Sequence, residues 1–492
     1  MRNVTAGIAG LALVLLAGCG FYRVNPPLSQ NDLAARSGYR YRNVAAKVPE
    51  SARKNFVVVT MSGGGTRAAA LSYGVVQEME RVKTDPSGTT LLDQVDVISS
   101  ISGGSFTAAY LGLFGKEEFF RSFRTEVLDR QIERDILLRV AAPWNWPTAV
   151  LYGRSDIAEQ YYNDDIFRGR SFADMPRRRP YVILNATDLT IGATFSFTQD
   201  DFDRFCSDLE TIPVSRAVLA SSAFPVAFTP LTMKNYGWTE CGYQQPVWVT
   251  GALQDFEANP VRYHRAQVWA SYQDTTAKPF IHLSDGGLAD NIGLRGPEIA
   301  LSSTDSPWTQ LNNRQLNRVV VIVVDAKPGK PTGLDQTARR PSISTVLEAS
   351  ATNPMENYSF DTVNALRLFI EEQNKAMDDF RLRKERCDNM AVKLCVSDSN
   401  KAACENDRRN QCYETFKASD NFRPPNPKYY EIHVQFEAIK DPEKRQRLAN
   451  ISTALQLPPE DIDLLINAAG EILNEAPAYQ QLLKDLQASP AQ

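Results

Sequence analysis

The chain has few histidines and a small net charge, and the apolar run at its N-terminus is short. The 492 residues include three histidines, His264, His282 and His433, and carry a formal net charge of −4. Interspersed charges of both signs argue against a nucleic-acid partner, which requires a basic surface. The apolar run Val4–Gly18 has about 15 residues, whereas a membrane-spanning helix needs about 20. The N-terminal run is therefore not expected to be a transmembrane anchor.

Signatures of a nucleotide or metal cofactor are missing as well. The glycine segment Ser62–Arg67 (SGGGTR) lacks the lysine and the spacing of a P-loop, so phosphate cleavage is not expected. Cys387, Cys395, Cys404 and Cys412 are separated by seven, eight and seven residues, whereas zinc sites usually pair cysteines two to four residues apart. The sequence predicts no metal and no cofactor.

The cysteines instead suggest disulfide bonds. Apart from Cys19 there are six, an even number that fits an oxidising compartment. The nearly symmetric spacing of the last four predicts nested bridges across a hairpin, which leaves Cys206 and Cys241 as the remaining pair. Composition alone also allows some of the six to be free buried thiols.

Three consecutive glycines follow a strand-like run. Phe56–Met61 is short and rich in β-branched residues, which favours a buried strand. Gly63, Gly64 and Gly65 come next, and the chain from Thr66 onward has helix-forming residues with apolar side chains at helical spacing. The glycines should lie where a strand enters a helix, and amides at such a position can bind an anion.

A second strand-like run, Val95–Ile101, is followed by a serine and two glycines. Because the segment after Gly104 has the composition of a buried helix, Ser102 should occupy a tight strand-to-helix turn. The helix N-terminus behind it would stabilise negative charge on whatever the serine attacks. The match to G-x-S-x-G is imperfect, since Ser100 takes the first glycine position, and spacing alone also allows Ser105 to be the nucleophile.

Asp285 follows a short apolar segment and begins a Gly-Gly turn. A carboxylate at the end of a strand is well placed to act as a base. Considered alone, Asp-Gly-Gly is more often an ordinary turn, because both residue types favour turns. The catalytic interpretation therefore depends on the two glycine segments described above.

Together these segments resemble the patatin-like phospholipases. The blocks GGGTR at Gly63–Arg67, SISGGS around Ser102, ASSAFPVAFTPL at Ala220–Leu231 and DGG at Asp285–Gly287 occur in the order and at the approximate distances of that family. The similarity extends over most of residues 53 to about 330. Four ordered blocks are far more specific than any single motif.

The resemblance implies roles for individual residues. Ser102 would be the nucleophile, Asp285 the general base, and the amides of Gly63, Gly64 and Gly65 the oxyanion hole. The family uses a dyad without histidine, and the small number of histidines is compatible with that arrangement.

Three side chains near the proposed site concern the anchoring of the glycine loop and the match to the family pattern. Arg67 would anchor the oxyanion loop, although a solvated helix arginine is an equally good interpretation. Ser62 stands where the family commonly has aspartate, and Ser100 stands where it usually has glycine. Neither departure removes a proposed catalytic group, but the Ser100 side chain must fit into a cramped turn.

The implied function is that of a serine acyl hydrolase. Such an enzyme would cleave acyl esters of phospholipids or lysophospholipids through a Ser-Asp dyad and an acyl-enzyme. Two alternatives stay open: an acyl transferase or hydrolase of other lipid esters or thioesters, and a non-catalytic envelope binding protein that keeps the fold. The intact Ser102, Asp285 and three glycines count against the second alternative.

The N-terminus resembles a bacterial lipoprotein signal, because the apolar run ends in LAGC with small residues directly before Cys19. The resemblance implies removal of residues 1–18, modification of Cys19 by lipid such as palmitate, and attachment to the cell envelope. Gly20 is not the aspartate associated with inner-membrane retention, so the outer membrane is expected. The other interpretation is a secretory signal with a chance cysteine. The sequence indicates a lipid substrate and no particular protein partner.

Strand-like and helical segments alternate as far as the strand-like run Val319–Gly329, which predicts an α/β protein. The resemblance makes this a three-layer α/β/α sandwich with a mostly parallel central sheet and a helical C-terminal region. That region has helical segments at Asn364–Cys387 and Leu457–Leu486, and a strand-like run at Lys428–Ile439 between them. We expect a tether or N-terminal arm at 19–52, a catalytic domain at 53–341, and a mainly helical region packed on the core at 342–492.

Overall fold

One central sheet organises the protein, which we analysed as a computed structural model. The structure describes residues 22–48, 54–142, 144, 153–225, 228–303, 305, 316–329, 338, 340–417 and 427–487. The strands within these residues are β1 Asn55–Met61, β2 Val95–Ile101, β3 Tyr181–Asp188, β4 Ala193–Ser196, β5 Leu231–Lys234, β6 Phe280–Ser284, β7 Arg318–Asp325 and β8 Lys428–Gln435. They are joined in the order β5-β6-β3-β2-β1-β7-β8, with β4 paired to β3.

Helices occupy most of the remaining described chain. They are α1 Gln30–Ala35, α2 Tyr41–Ala45, α3 Gly65–Arg81, α4 Gly103–Phe123, α5 Ile132–Ala141, α6 Arg154–Tyr161, α7 Gln199–Phe202, α8 Val214–Ser221, α9 Trp238–Cys241, α10 Val247–Ala252, α11 Pro260–Ala270, α12 Gly287–Asp290, α13 Arg295–Ser302, α14 Ile343–Leu394, α15 Lys401–Lys417, α16 Pro442–Ala449, α17 Pro459–Glu475 and α18 Pro477–Gln487. Short 3-10 helices lie at Leu92–Gln94, Phe172–Asp174, Asp203–Phe205 and Phe436–Ala438, and π-helical turns extend α4 and α6 at Arg124–Leu128 and Tyr162–Ile166.

The sheet brings the three glycine-bearing segments to one end. Strands β3, β2, β1, β7 and β8 run parallel, so the residues that follow β1 and β2 leave the sheet at the same end. Strand β6 is antiparallel to β3, but it overlaps only the last two residues of β3, Thr187 and Asp188. The chain that leaves β6 therefore emerges beside the chain that leaves β2.

The sheet is covered by helices, as a parallel sheet requires. Strands β1, β2 and β7 are rich in valine and isoleucine and are buried along almost their whole length. Helix α3 packs against both α4 and α17, and all three pack against the sheet, while α14 packs along β8 and against α12. The fold is a three-layer α/β/α sandwich, as expected from the sequence.

The expected strands are confirmed with small shifts in their bounds, whereas the helix expected at Asn364–Cys387 is part of the longer helix Ile343–Leu394. The strand expected at Phe56–Met61 begins one residue earlier, and the one at Val95–Ile101 has the expected bounds. The helical segment at Leu457–Leu486 is two helices, because the chain breaks at Ala476, directly before Pro477.

The central sheet extends beyond the catalytic domain that we expected to end at residue 341. Strand β8 pairs with β7 over its full length, from Lys428 to Gln435. Helix α17 packs on α3, and α18 packs on β8. Residues beyond 342 therefore complete the same sandwich and supply its edge strand.

All six cysteines outside the N-terminal segment form disulfide bonds. Cys206 is bonded to Cys241, and Cys395–Cys404 is nested inside Cys387–Cys412 at the hairpin between α14 and α15. The nested pairing expected from the spacing is confirmed. Within the described residues, no cluster of three or more metal-binding side chains occurs.

An asparagine side chain pairs with each edge strand of the sheet. The Asn25 amide donates to the Lys234 carbonyl at 3.0 Å and its oxygen accepts from the Lys234 amide at 2.7 Å. At the other edge, Asn374 makes the same two bonds with the backbone of Tyr429, at 2.9 and 3.0 Å. Both asparagines thus satisfy backbone groups that an edge strand otherwise leaves open.

Candidate active site

Ser102 lies on a sharp turn between β2 and α4. Its backbone has φ 46° and ψ −116°, a conformation that is strained for a residue with a side chain. The turn is possible because glycines follow: a Cβ on Gly103 would lie 2.0 Å from the Gly65 carbonyl oxygen. A Cβ on Gly104 would lie 2.7 Å from the Met61 carbonyl oxygen. The two glycines let the elbow pack directly against the neighbouring glycine loop.

The neighbouring serines are buried and hydrogen-bonded. The Ser105 hydroxyl lies 3.1 Å from the Ser100 hydroxyl and 2.9 Å from the Ser221 hydroxyl. Ser100 also donates to the Ile183 carbonyl at 3.2 Å, so its side chain fits where the family usually has glycine. Because Ser105 is fully buried whereas Ser102 is partly exposed, the geometry favours Ser102 over Ser105 as the nucleophile.

Asp285 faces Ser102 from the end of β6. Its carboxylate accepts a hydrogen bond from the Gly287 amide at 2.7 Å, and the Ser102 side chain lies near enough to lower its pKa. Its own amide donates to the Ala223 carbonyl at 3.0 Å, and its carbonyl accepts from the Thr187 hydroxyl at 2.8 Å. The carboxylate is therefore held in one orientation by both its side chain and its backbone.

A segment to which the sequence analysis assigned no role holds both residues of the pair. The Ser102 amide donates to the Ser221 hydroxyl at 2.8 Å. The Ser221 carbonyl accepts a hydrogen bond from the Gly286 amide at 3.1 Å. Two residues further along the chain, the Ala223 carbonyl accepts one from the Asp285 amide. Both residues belong to the ASSAF block, whose composition gives no indication of these roles.

Burial raises the pKa of Asp285 to about 7, although the hydrogen bond from the Gly287 amide and the polar Ser102 side chain lower it. A charged carboxylate loses much of its hydration inside the protein, and the neutral form is favoured as a result. A base whose pKa lies near neutral pH can both accept and return a proton there. The structure supplies the desolvated site that an aspartate base requires.

The glycine loop joins β1 to α3 through unusual backbone angles. Gly64 has φ 132° and Gly65 has φ 61°, values that side chains disfavour. A Cβ on Gly65 would also lie 2.3 Å from the Ala454 carbonyl oxygen. The amides of both glycines lie at the beginning of α3, where an amide has no acceptor within the helix. They are the candidates for oxyanion donors.

Gly63 does not contribute a free amide, which corrects the expectation from the sequence. Its N–H donates to the Asn291 carbonyl at 2.9 Å. The chain after Asp285 folds back through α12 and places Asn291 against the loop, so close that a Cβ on Gly63 would lie 2.5 Å from Asn291 Oδ1. Gly63 is required for this close approach, and only Gly64 and Gly65 remain as donors.

Arg67 is buried, so it is not a solvated helix residue. Its guanidinium donates to the Ala326 carbonyl at 2.8 Å, the Ile451 carbonyl at 2.5 Å and the Thr453 hydroxyl at 2.9 Å. Burial lowers the pKa of Arg67 to about 10, which leaves it charged at neutral pH. Arg67 thus ties the glycine loop to β7 and to the C-terminal region.

Helix α14 covers the turn that carries Asp285. A Cβ on Gly287 would lie 2.4 Å from Met355 Cε, and Met355 itself is buried. Beside it, Glu356 pairs with Lys327 at 3.4 Å. Residues of the C-terminal region therefore form one wall of the site.

Other residues singled out in the sequence lie apart from this site or outside the described residues. His282 lies 3.0 Å from the Thr232 hydroxyl and makes a local hydrogen bond with it. Cys19 and the signal segment 1–18 lie outside the described residues. Among the helices that the structure describes, none is both long enough and apolar enough to cross a membrane.

Residues 59–297 match the sequence profile of the patatin-like phospholipases. The chain contains a patatin-like phospholipase domain. All proposed catalytic and oxyanion residues lie within the matched range. No curated protein sequence matches the chain closely enough to count as a relative.

Two solved structures align with most of the chain at low similarity. VipD from Legionella pneumophila aligns at 11% identity and a TM-score of 0.32, covering 89% of this chain and 67% of VipD. Human GIVD cytosolic phospholipase A2 aligns at 13% identity and a TM-score of 0.40, covering 93% of this chain and 66% of the human protein. The chain thus spans about two thirds of the length of these proteins. Strands β7 and β8 lie outside the matched segment and belong to the same central sheet.

Proposed function

We propose that the protein is a serine acyl hydrolase that cleaves acyl esters of phospholipids or lysophospholipids. The observation that carries the proposal is the pairing of Ser102, on a strained turn, with a buried Asp285 whose pKa is raised to about 7. The patatin-like phospholipase match supports a lipid ester as the substrate class.

The first half of the reaction forms an acyl-enzyme. Ser102 Oγ attacks the ester carbonyl carbon while Asp285 accepts the hydroxyl proton. The carbonyl oxygen becomes an oxyanion, which the amides of Gly64 and Gly65 and the N-terminus of α3 would stabilise. When the tetrahedral intermediate collapses, the C–O bond of the ester breaks and Asp285 returns the proton to the leaving alcohol.

The second half regenerates the enzyme. Water attacks the acyl-Ser102 carbonyl carbon, and Asp285 again accepts a proton. Collapse of the second intermediate releases the fatty acid and returns the proton to Ser102. One carboxylate therefore serves as base and acid in both halves.

A fluorophosphonate probe tests the nucleophile directly. Wild type should carry one adduct at Ser102 by mass spectrometry, and Ser102→Ala should carry none. Ser105→Ala is the matched control, because Ser105 is a neighbouring serine whose hydroxyl is buried, and it should still be labelled. Fatty-acid release from phosphatidylcholine should fall by about 10²-fold or more in Asp285→Asn. Labelling of folded wild type at any other serine, or none, would contradict the proposal.

We further propose that the mature chain begins at lipid-modified Cys19 and is attached to the outer membrane. The LAGC sequence ending at Cys19 supports this proposal. Metabolic labelling with an alkyne-tagged palmitate should mark wild type and not Cys19→Ser, and membrane fractionation should place the labelled protein with outer-membrane markers. Labelling that persists in Cys19→Ser would contradict lipid attachment at this residue.

A further inference from the structure

The N-terminal arm is bound to the core from its first described residue. Asn25 bonds to the edge strand β5, and its carbonyl accepts from the Tyr236 hydroxyl at 2.5 Å. The Leu28 amide donates to the Cys206 carbonyl at 2.8 Å. Residues 22–28 therefore follow the surface of the sandwich and do not form a free tether there.

Two residues fasten the beginning of this arm. The Tyr22 ring meets the Phe280 ring edge-on at 5.4 Å. Arg23 pairs with Asp156 at 3.4 Å and with the buried Glu159 at 3.2 Å, and its carbonyl accepts from Arg216 at 3.1 Å. The arm is thus held by an aromatic contact, ion pairs and a backbone hydrogen bond.

Covalent geometry limits how far the anchor can lie from this point. Cys19 precedes Tyr22 by three residues, and three extended residues span at most about 11 Å. A free chain of some thirty residues would instead have a root-mean-square length of about 30 Å. A lipid on Cys19 would therefore hold the surface around Tyr22 close to the bilayer.

The surface around Tyr22 has a composition that suits a lipid interface. Phe280 is 40% exposed, and Val24 and Leu189 are 62% and 48% exposed. Lys234 lies opposite Phe280 in the antiparallel pair of strands β5 and β6, and its ammonium lies 4.6 Å from the ring centre of Tyr236. Aromatic and basic side chains of this kind are favoured where headgroups meet acyl chains.

The same surface lies close to the catalytic pair. A cavity of about 50 Å³ beneath the arm is lined by residues that include Tyr22, Arg23, Leu219 and Ala223. The Ala223 carbonyl accepts from the amide of Asp285. One short segment therefore lines the cavity beneath the arm and positions the proposed base.

We propose that residues 22–28 act as a short strap, which orients the protein with the outer face of the antiparallel strand pair β5–β6 against the lipids of its own membrane. The active site then meets substrate in the leaflet that holds the anchor. This inference rests on the proposed lipidation of Cys19 and on the proposed acyl hydrolase function. The occupant of the surface is the bilayer itself.

Orientation can be measured without any reaction. The lipidated chain is placed in vesicles of phosphatidylethanolamine and phosphatidylglycerol that contain a headgroup nitroxide lipid. A fluorophore on Lys234→Cys should be strongly quenched, whereas one on Lys401→Cys in α15 should not. The two edge strands β5 and β8 are about 29 Å apart across the sheet, and α15 lies with α14 on the β8 side. Equal quenching at both positions, or no lipid on Cys19, would overturn the proposal.

The length of the strap gives a second test. A 20-residue Gly-Ser insertion between Gly20 and Phe21 keeps the anchor but lengthens the connection. Quenching at Lys234→Cys should fall, and hydrolysis of vesicle phospholipid should fall on the order of tenfold as the effective concentration drops. Hydrolysis of a soluble short-chain ester should stay unchanged.

The readouts separate the two proposals. Full vesicle activity and quenching after the insertion would overturn the strap while leaving the hydrolase intact. Absence of ester hydrolysis in the wild type would refute the proposed function, and the quenching pattern would still decide the orientation.

Discussion

Replacing Asp285 with asparagine should stabilise the fold above neutral pH while it removes activity. The pKa of Asp285 is raised from 3.8 to about 7 by burial, so the folded protein binds this proton more tightly than the unfolded chain. Stability is therefore lost as pH rises from about 4 to 7, and above that window the ionised carboxylate costs about 4 kcal/mol. Asparagine has nearly the same shape and carries no charge, so it avoids this cost.

The test is chemical denaturation of wild type and Asp285→Asn at pH 5 and pH 8. The difference in unfolding free energy should favour the variant, and it should grow by about 3 kcal/mol between the two pH values. Ser102→Ala is the matched control, because it also inactivates the site but keeps the carboxyl group, so its stability should still decrease with pH. An advantage of Asp285→Asn that is the same at both pH values, or absent at pH 8, would refute the reasoning.

Four further changes test other parts of the site. kcat/KM for a soluble ester should rise with pH through about 7 and then level off, because the proton acceptor is ionised Asp285, and a flat pH–rate profile would contradict this role. Arg67→Met leaves the buried carbonyls of Ala326 and Ile451 unpaired and should lower the unfolding free energy by about 2 kcal/mol or more, with Arg67→Lys recovering part of the loss in the same denaturation assay. Ser221→Ala removes the acceptor of the Ser102 amide and should lower kcat about tenfold with little change in KM, measured by steady-state kinetics. Gly65→Ala introduces a Cβ that meets a backbone carbonyl and should abolish fluorophosphonate labelling, and a fully labelled variant would show that the loop geometry is not required.

Local patterns were sufficient for the parts of the fold that depend on neighbouring residues. The β-branched run before Ser102 predicted β2, and the glycines after it predicted the turn. The spacing of Cys387, Cys395, Cys404 and Cys412 predicted the nested disulfides. In each case the physical cause lies within a few residues or within one hairpin.

Contacts between distant segments were not predictable in this way. The family resemblance implied a free amide at Gly63, but this amide donates to the carbonyl of Asn291, which is more than two hundred residues away in the chain. The sequence is compatible with either a solvated or a buried Arg67, and the partners that hold it, Ile451 and Thr453, are distant in the chain. A single sequence carries no local signal for such partners.

Helix α14 shows a different limit of sequence reasoning. The helical segment was expected to begin at Asn364, but the helix begins at Ile343 and contains Pro354. Proline usually ends or kinks a helix, so the local pattern does not favour one helix that continues through Pro354. That first part of α14 carries Met355, which covers the turn of Asp285.

The paired edges of the sheet affect how copies of this protein behave when they are crowded together. An open edge strand is a template on which another chain can add its own strand, and sheets can then grow from one molecule to the next. Here Asn25 and Asn374 each occupy backbone groups at one edge. If the chain is held at a membrane, neighbouring copies meet often, and these two side chains then protect a population of molecules from mutual aggregation as well as stabilising each one.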